Sequence, residues 1–221
     1  TTDTLTHGLI NTQLGNLYSE SCDFPKSIEA YLKAYNFYKS AKNYHHKIHA
    51  LYDASCSYRG NQDYTNAYQL ISQVISEAND SCDYNMIKIG YEELILQLIN
   101  QNKFSQALTL YDSLTINYPQ FYYPATFHSF LATAFAFNKN SITAKYHITK
   151  AWENATDIND SIIIYINSSN AYRYLGDNNN AFLNLSNGTQ LEKLIIRKEL
   201  EQPLLTAQRN LLAQNLEISH Y

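Results

Sequence analysis

Glycine and proline are scarce in this chain. Its 221 residues include 6 glycines and 4 prolines, together about 5% of the chain, against roughly 12% in average proteins. Many-stranded sandwiches and barrels use both residue types at their turns, so this composition argues against such folds. Long helices joined by short turns need few of either residue. We therefore expect an all-α protein.

Clusters of positive charge and long apolar runs are also missing. The formal net charge is −4, the sequence pI is about 5.9, and no stripe of Lys and Arg offers the phosphate contacts that nucleic-acid binding requires. Apolar runs such as Ile162–Ile164 are far shorter than the roughly 20 residues of a membrane span. We expect no nucleic-acid partner and no direct membrane insertion of this chain.

The three cysteines do not form a metal or redox motif. No Cys-x-x-Cys pair occurs among Cys22, Cys56 and Cys82. Their wide spacing therefore excludes a zinc knuckle and a thiol redox centre. One disulfide with a free thiol is an alternative, but we expect three unpaired, partly buried thiols. His45 and His49 lie four apart on a predicted helix and could share a metal. Without a Cys or carboxylate nearby, we interpret them as surface residues and expect no metal site.

Catalytic signatures are missing as well. Six glycines can hardly supply a Gly-rich phosphate loop, and no nucleophile is marked by a partner base. Glu92 and Glu93 are adjacent on a predicted helix and point to different faces, so we expect a solvated face rather than an acid–base pair. The sequence predicts no enzyme activity and no cofactor.

The sequence does contain an internal repeat. Its clearest copy is Leu14-Gly15-Asn16-Leu17-Tyr18, then Cys22-Asp23-Phe24 and a small residue in a second helix. Apolar and small residues recur at intervals of three and four residues, which is the spacing of one face of a helix. The second-helix small residues follow at steps of 40, 40, 37 and 37, at Ser27, Ala67, Ala107, Ala144 and Ala181. Small residues let two helices approach closely, while Tyr and Phe fill the space between repeats.

These residues resemble the tetratricopeptide repeat (TPR), a helix–turn–helix unit of about 34 residues. The resemblance rests on the Leu-Gly-x-x-Tyr start, the Gly-Asp-aromatic turn, the following Ala and a closing Pro, and it covers roughly Gly8 to Gly188. Cys22, Gln62 and Asn102 stand where Gly is usual, and Ser141 stands where an aromatic is usual. The longer period implies helices extended by about one turn of roughly 3.6 residues.

The resemblance implies a right-handed α-solenoid, a superhelix of stacked helix-turn-helix repeats. We predict five repeats within residues 1–189, at about 8–41, 44–79, 83–119, 121–157 and 159–189. Capping helices follow over residues 190–221, where Leu191, Leu194 and Ile195 continue one helix, Pro203 breaks it, and a second leucine stripe begins. The run Tyr118–Pro124 is interpreted as a wedge between repeats, with an aromatic recognition loop as the alternative.

In this family the first helices of the pairs line a concave groove that binds peptides. The pattern places twelve residues on that groove: Asn16, Ser19, His49, Tyr52, Arg59, Glu92, Leu96, Ser129, Thr133, Ile166, Asn170 and Arg173. The guanidinium group of Arg and the side-chain amide of Asn can hydrogen-bond a carboxylate or the backbone of an extended peptide. Some family members clamp a C-terminal carboxylate with Lys and Asn, but Thr12 and Tyr52 stand here where that clamp has Lys.

We therefore expect a non-catalytic TPR scaffold with a peptide or protein partner in its groove; the polar residues could instead merely keep the groove hydrated. The alternative function is an extracytoplasmic sensor module of a membrane-bound bacterial regulator, truncated before its transmembrane and effector segments. The chain begins with Thr1 and shows no signal peptide, so we interpret it as a piece of a longer protein that its flanks could tether to a membrane. A sensor module would lie in the periplasm, whereas a peptide-binding scaffold would lie in the cytoplasm.

Overall fold

The computed structural model describes residues 2–218, with side chains from residue 3 to residue 198. Over that range the chain is helical and forms no strand, which confirms the predicted all-α class. The chain divides into two compact units, unit 1 ending at Tyr122 and unit 2 beginning at Tyr123.

Unit 1 is a stack of helical hairpins. Each helix packs against the next along the chain, and α3 also contacts α5. This successive packing is the arrangement of an α-solenoid. The helices are α1 (Thr2–Glu20), α2 (Phe24–Ser40), α3 (Tyr44–Gly60), α4 (Tyr64–Asp80), α5 (Tyr84–Asn100) and α6 (Phe104–Asn117).

Unit 2 has the same kind of architecture. Its helices are α7 (Ala125–Phe137), α8 (Ser141–Asn154), α9 (Ile158–Leu175) and α10 (Asn178–Ile218). The pairs α7–α8 and α9–α10 pack closely, and α9 also packs against α7. A first helix therefore contacts the first helix of the next pair, as α3 and α5 do in unit 1.

Most turns between helices share one geometry; the connections before α7 and α9 are the exceptions among the described residues. At Ser21-Cys22-Asp23 the backbone N–H of Asp23 donates to the Tyr18 carbonyl over 2.8 Å, and the Asp23 carboxylate accepts from the backbone N–H of Lys26 and so caps α2. The residue before the cap adopts a positive φ, a left-handed conformation that favours glycine at helix C-termini. Apart from Gly176, the described residues that adopt it are Cys22, Lys42, Gln62, Cys82, Asn102 and Lys139. Non-glycine residues in these turns explain how so many helices are joined with few glycines.

Small residues mark the close contacts within each hairpin. Ser27, Ala67, Ala107, Ala144 and Ala181 are each the fourth residue of an even-numbered helix, and all are buried. Ser27 Oγ donates to the Gly15 carbonyl over 3.0 Å, and Ser55 Oγ donates to the Ala67 carbonyl over 2.9 Å. Backbones approach closely at these crossings because neither helix carries a large side chain there.

The C-terminal region differs from the expectation. Pro203 was predicted to break the chain into two helices, but α10 runs as one helix of 41 residues from Asn178 to Ile218. A proline inside a helix removes one backbone hydrogen bond, and the bonds on either side continue the helix. The leucine stripe predicted after Pro203 lies outside the described side chains.

The core of unit 2 contains a pair of buried histidines. Nδ1 of His128 lies 2.9 Å from Nδ1 of His147, so one ring donates and the other accepts. Burial lowers the pKa of His147 to about 4, and the His128 ring adds to the effect. Burial and the Lys150 ammonium also lower the pKa of His128. The Phe135 ring stacks on His147 with centroids 5.2 Å apart. This pair is therefore held in its neutral form.

Two further expectations can be compared with the described residues. None of the helices there has the length and apolar character of a membrane span. All three cysteines are free, as expected, although Cys22 and Cys82 are exposed rather than partly buried. Both lie in turns, where their positive φ directs the chain from one helix into the next.

Candidate functional site

A polar cluster lies where α3 contacts α5 in unit 1. We call it the α3–α5 seam and define it as Tyr52, Asp53, Cys56 and Arg59 of α3 with Glu93 and Gln97 of α5. In α3, positions 52, 56 and 59 are separated by four and then three residues, so their side chains share one face of the helix. In α5, positions 93 and 97 are four apart and do the same. The N-caps Asn43 and Asp83 start these two helices by accepting from backbone N–H groups of the first turn.

An ion pair with an amide partner holds the seam together. Arg59 Nε donates to Glu93 Oε1 over 2.7 Å. Gln97 Nε2 donates to the same carboxylate oxygen over 3.1 Å and to Ser55 Oγ, also over 3.1 Å. The Glu93 side chain is 1% exposed, whereas that of Arg59 is 24% exposed. The Arg59 side chain is therefore partly accessible to solvent, whereas the Glu93 side chain is not.

Burial shifts the pKa values of the titratable groups in the seam. Burial raises the pKa of Asp53 to about 6. Burial also raises the pKa of Tyr52, and neighbouring Cys56 and Glu93 add to it. The pKa of the Cys56 thiol rises well above its usual value for the same reason. For Arg59, burial acts to lower the pKa, but the Glu93 carboxylate outweighs it and the pKa is raised. Arg59 thus keeps its charge and Tyr52 and Cys56 stay neutral at neutral pH, whereas the pKa of Asp53 lies close enough to neutrality for its charge to change in mildly acidic solution.

Two acceptors of the seam have no hydrogen-bond partner among the described residues. They are Glu93 Oε2 and Gln97 Oε1, and both atoms are buried. Leaving a buried polar group unsatisfied costs about 1–3 kcal/mol, and more for a charged one. Such groups are uncommon in native proteins and call for an explanation.

Several predicted groove residues lie in or beside this seam. Tyr52 and Arg59 belong to it, and half-buried Leu96 precedes Gln97 on the same helix. Asn16 of α1 accepts a hydrogen bond of 2.7 Å from the Tyr31 hydroxyl. Burial raises the pKa of Tyr31 to about 12, with the charges of Asp53 and Cys56 contributing. The hydrogen bond between Tyr31 and Asn16 joins α2 to α1.

Three other predicted residues of unit 1 lie elsewhere. Ser19 and His49 are half-buried, and the His49 ring contacts His45 with centroids 4.6 Å apart. The expectation that Glu92 and Glu93 form a solvated face is wrong, since they are 9% and 1% exposed. Glu92 lies 3.3 Å from the Lys88 ammonium. Glu93, rather than Glu92, faces Arg59, because adjacent helical residues point about 100° apart.

The predicted groove residues of unit 2 have mixed positions. Ser129 and Thr133 are buried and do not line an open surface. Thr133 Oγ1 donates to the Asn167 carbonyl over 3.0 Å, and the Asn167 amide donates to Ser129 Oγ over 2.8 Å. These two residues join α7 to α9, which corrects the groove assignment for both.

The remaining predicted residues of unit 2 are more accessible. Ile166 is 40% exposed. Arg173 is exposed, donates to Asn170 Oδ1 over 3.4 Å and lies over the Tyr174 ring at 5.5 Å. Unlike Arg59, Arg173 forms no ion pair with a described carboxylate.

Sequence reasoning missed Asp53, Cys56, Glu93 and Gln97. The repeat period does not indicate the ion pair, because α3 and α5 begin 40 residues apart, at Tyr44 and Tyr84, whereas Glu93 follows Arg59 by 34 residues. The two residues therefore occupy different positions along their helices. The described residues contain no group of three or more His, Cys, Asp or Glu arranged to hold a metal ion.

Comparison with known proteins adds no family assignment. No model of a protein family matches the chain, and no curated protein matches it. The structure itself supports a helical repeat protein whose first helices meet at a buried polar seam.

Proposed function

We propose that this chain is a non-catalytic, TPR-like repeat protein that binds a peptide or protein partner at the α3–α5 seam of unit 1. The TPR-like assignment is supported by the helical hairpins, by the buried small residue at the fourth position of every second helix, and by the positive-φ turns at positions where the repeat usually has glycine. Repeat proteins of this type use the exposed side of consecutive first helices as an extended binding surface.

The observation that carries the proposal is the buried polar network of the seam. Packing α3 on α5 for stability alone requires only apolar and small residues, because burying charged and polar groups costs free energy even when they are paired. The chain nevertheless places Arg59, Glu93 and Gln97 there. Polar groups that are expensive to bury are typical of sites that recognise another molecule.

The chemistry of the seam favours binding over catalysis. Its nucleophile-type side chain is Cys56, and the thiolate rather than the thiol is the reactive form. Burial raises the pKa of Cys56 well above its usual value, so the group stays an unreactive thiol at neutral pH. The carboxylate of Glu93 is engaged by Arg59 and Gln97 rather than by a nucleophile.

A peptide selection with matched variants tests the proposal. A random peptide library is selected against the chain, and the enriched peptides are measured on Tyr52→Ala, which truncates a half-buried side chain of the seam, and on Leu96→Ala, which lies beside the seam. The control is Tyr68→Ala, which removes an exposed tyrosine of α4 that lies outside the seam. We expect both test variants to weaken binding at least tenfold and the control to leave it unchanged. Equal binding to all three variants, or loss only in Tyr68→Ala, would contradict the proposal.

A further inference from the structure

A small cavity lies at the turn that joins α2 to α3 in unit 1. Its volume is about 210 Å³, below the roughly 300 Å³ at which pockets for whole drug-sized ligands begin, so it suits a single functional group. Three of its lining residues are lysines, and none of the described residues that line it is a carboxylate. We call it the turn cavity and define it by its lining residues Tyr38, Lys39, Lys42, Asn43, Tyr44 and Lys47.

Two of the three ammonium groups carry positive charge that no carboxylate balances. Lys47 Nζ lies 2.6 Å from Glu77 Oε2, and the two side chains are mostly buried. Lys39 and Lys42 are exposed, and neither ammonium forms a hydrogen bond or an ion pair with a described residue. Lys39 lies over the Tyr35 ring at 5.8 Å. Positive charge is thus concentrated at one cavity of a chain whose formal net charge is −4.

The end of α2 does not need these lysines. Lysine side chains often bind the last carbonyls of a helix, because those carbonyls lack partners within the helix itself. Here the carbonyls of residues 37, 38 and 39 each accept a backbone N–H group of the turn that follows. The ammonium groups of Lys39 and Lys42 therefore remain available to a ligand.

Asn43 adds a further open donor to the cavity. Its Oδ1 accepts the backbone N–H of His46 over 3.1 Å and so caps α3. This bond identifies Nδ2 as the other end of the amide, a group that can only donate, and Nδ2 forms no hydrogen bond with a described residue. The hydroxyls of both lining tyrosines are already bound by other side chains. The open polar groups of the turn cavity are therefore all donors, and an anion rich in acceptor oxygens complements them.

We propose that the turn cavity binds a phosphate monoester, the phosphoryl group of a phosphorylated peptide or small molecule. This group carries a charge of about −1.5 to −2 at neutral pH and three strong acceptor oxygens, which match two ammonium groups and one amide. A carboxylate supplies a single charge and two oxygens. Lysine binds phosphate as a point charge, so flexible ammonium groups suffice. The site is separate from the α3–α5 seam and does not rest on the partner-binding function proposed above.

The first part of the test uses wild-type chain at pH 7.5 and constant ionic strength. The probes are inorganic phosphate and three blocked nine-residue alanine–serine peptides with a central phosphoserine, serine or glutamate. NMR titration follows the backbone amides of residues 39–47 and the side-chain amide of Asn43. We expect the phosphoserine peptide to shift these signals and to bind about tenfold more tightly than the other two peptides, or better, since one hydrogen bond to a charged group contributes about that factor.

Inorganic phosphate separates the two sources of the group. If the natural ligand is a small molecule, inorganic phosphate shifts the same signals and binds as tightly as the phosphoserine peptide. If the natural ligand is a phosphorylated peptide, the phosphoserine peptide binds more tightly than inorganic phosphate. Both results support a phosphate-monoester site.

The second part uses two variants that remove donors and keep the fold. Lys42 has a φ of 55°, so Lys42→Gly removes an ammonium group and places in the turn the residue that favours this conformation. Asn43→Asp keeps the cap of α3, because Asp caps helices as well as Asn does, but it replaces the open donor with a carboxylate. We expect each variant to weaken binding of the phosphoserine peptide about tenfold.

The matched control is Gln62→Gly. It makes the same change in the next turn, where φ is 61°, without removing an ammonium group, and it should leave binding unchanged. Urea unfolding should show Lys42→Gly to be at least as stable as wild type. Its weaker binding then cannot result from a loss of structure.

Three results would overturn the phosphate site. The first is equal affinity of the phosphoserine, serine and glutamate peptides, or no binding by either phosphate probe. The second is a set of shifts that lies wholly outside residues 39–47. The third is unchanged affinity for the phosphoserine peptide in folded Lys42→Gly and Asn43→Asp. None of these results bears on the α3–α5 seam, which contains neither residue.

Discussion

Replacing His147 with glutamine should remove an acid-sensitive element from unit 2. His147 has a pKa of about 4 in the folded chain against an ordinary value of 6.5, so the unfolded chain binds a proton between these values and the folded chain does not. The stability contribution is complete above pH 6.5 and is lost as the pH falls towards 4. The full difference is worth about 3 kcal/mol, since each pH unit corresponds to about 1.4 kcal/mol. About 2 kcal/mol of it is expressed between pH 7.5 and pH 5.

The single tryptophan of the chain provides the assay. Trp152 lies in α8 and contacts Tyr165 with centroids 4.7 Å apart, so its fluorescence reports the unfolding of unit 2. Urea unfolding at pH 7.5 and pH 5 should show that His147→Gln loses about 2 kcal/mol less than wild type. Glutamine keeps a hydrogen-bonding partner for His128 without titrating in this range. His45→Gln, at an exposed position of unit 1, is the control. The same acid-induced loss in His147→Gln and wild type would refute the reasoning.

Three further predictions concern unit 1, each measured by urea unfolding followed with circular dichroism. Arg59→Met strands a buried carboxylate and should destabilise by about 2–4 kcal/mol, whereas Lys33→Met, at an exposed ion pair, should cost under about 1 kcal/mol; equal losses would show that the seam pair is not desolvated. Gln62 has a φ of 61°, a left-handed conformation that is strained for a residue with a side chain, so Gln62→Gly should raise the free energy of unfolding by about 0.5–1 kcal/mol. A loss of stability would argue against that turn geometry. Gly15→Ala should cost about 1–3 kcal/mol, because an added Cβ would lie 2.5 Å from the Tyr31 ring; an unchanged midpoint would contradict that close packing.

The helical architecture and the turn chemistry could be predicted from the sequence. The scarcity of glycine and proline indicated long helices, and the spacing of the small residues located the crossings. The substitution of Cys22, Gln62 and Asn102 for glycine marked turns that do adopt positive φ. These features are local, because the residues that determine them are close together in the chain. The break at Pro203 was a local prediction too, and it was wrong because a single lost hydrogen bond does not end a long helix.

The site was harder to predict because it depends on which side chains meet across helices. The pattern selected Glu92, one position from Glu93, and that single step changes the direction of a helical side chain by about 100°. Ser129 and Thr133 are polar residues at groove-like spacing, yet their hydrogen bonds are internal to unit 2. The pairing of His128 with His147 joins α7 to α8, and the local sequence around either residue does not predict this contact.

The central claim is that the partner lies on the side of unit 1 where α3 meets α5. Photocrosslinking tests it most directly: a benzoylphenylalanine residue replaces either Leu96, beside the seam, or Ile116, a 78% exposed residue of α6. Each chain is irradiated with the tightest library-selected peptide, and the adducts are located by mass spectrometry. We predict a crosslink from position 96 and none from position 116. A crosslink from position 116 alone would contradict it.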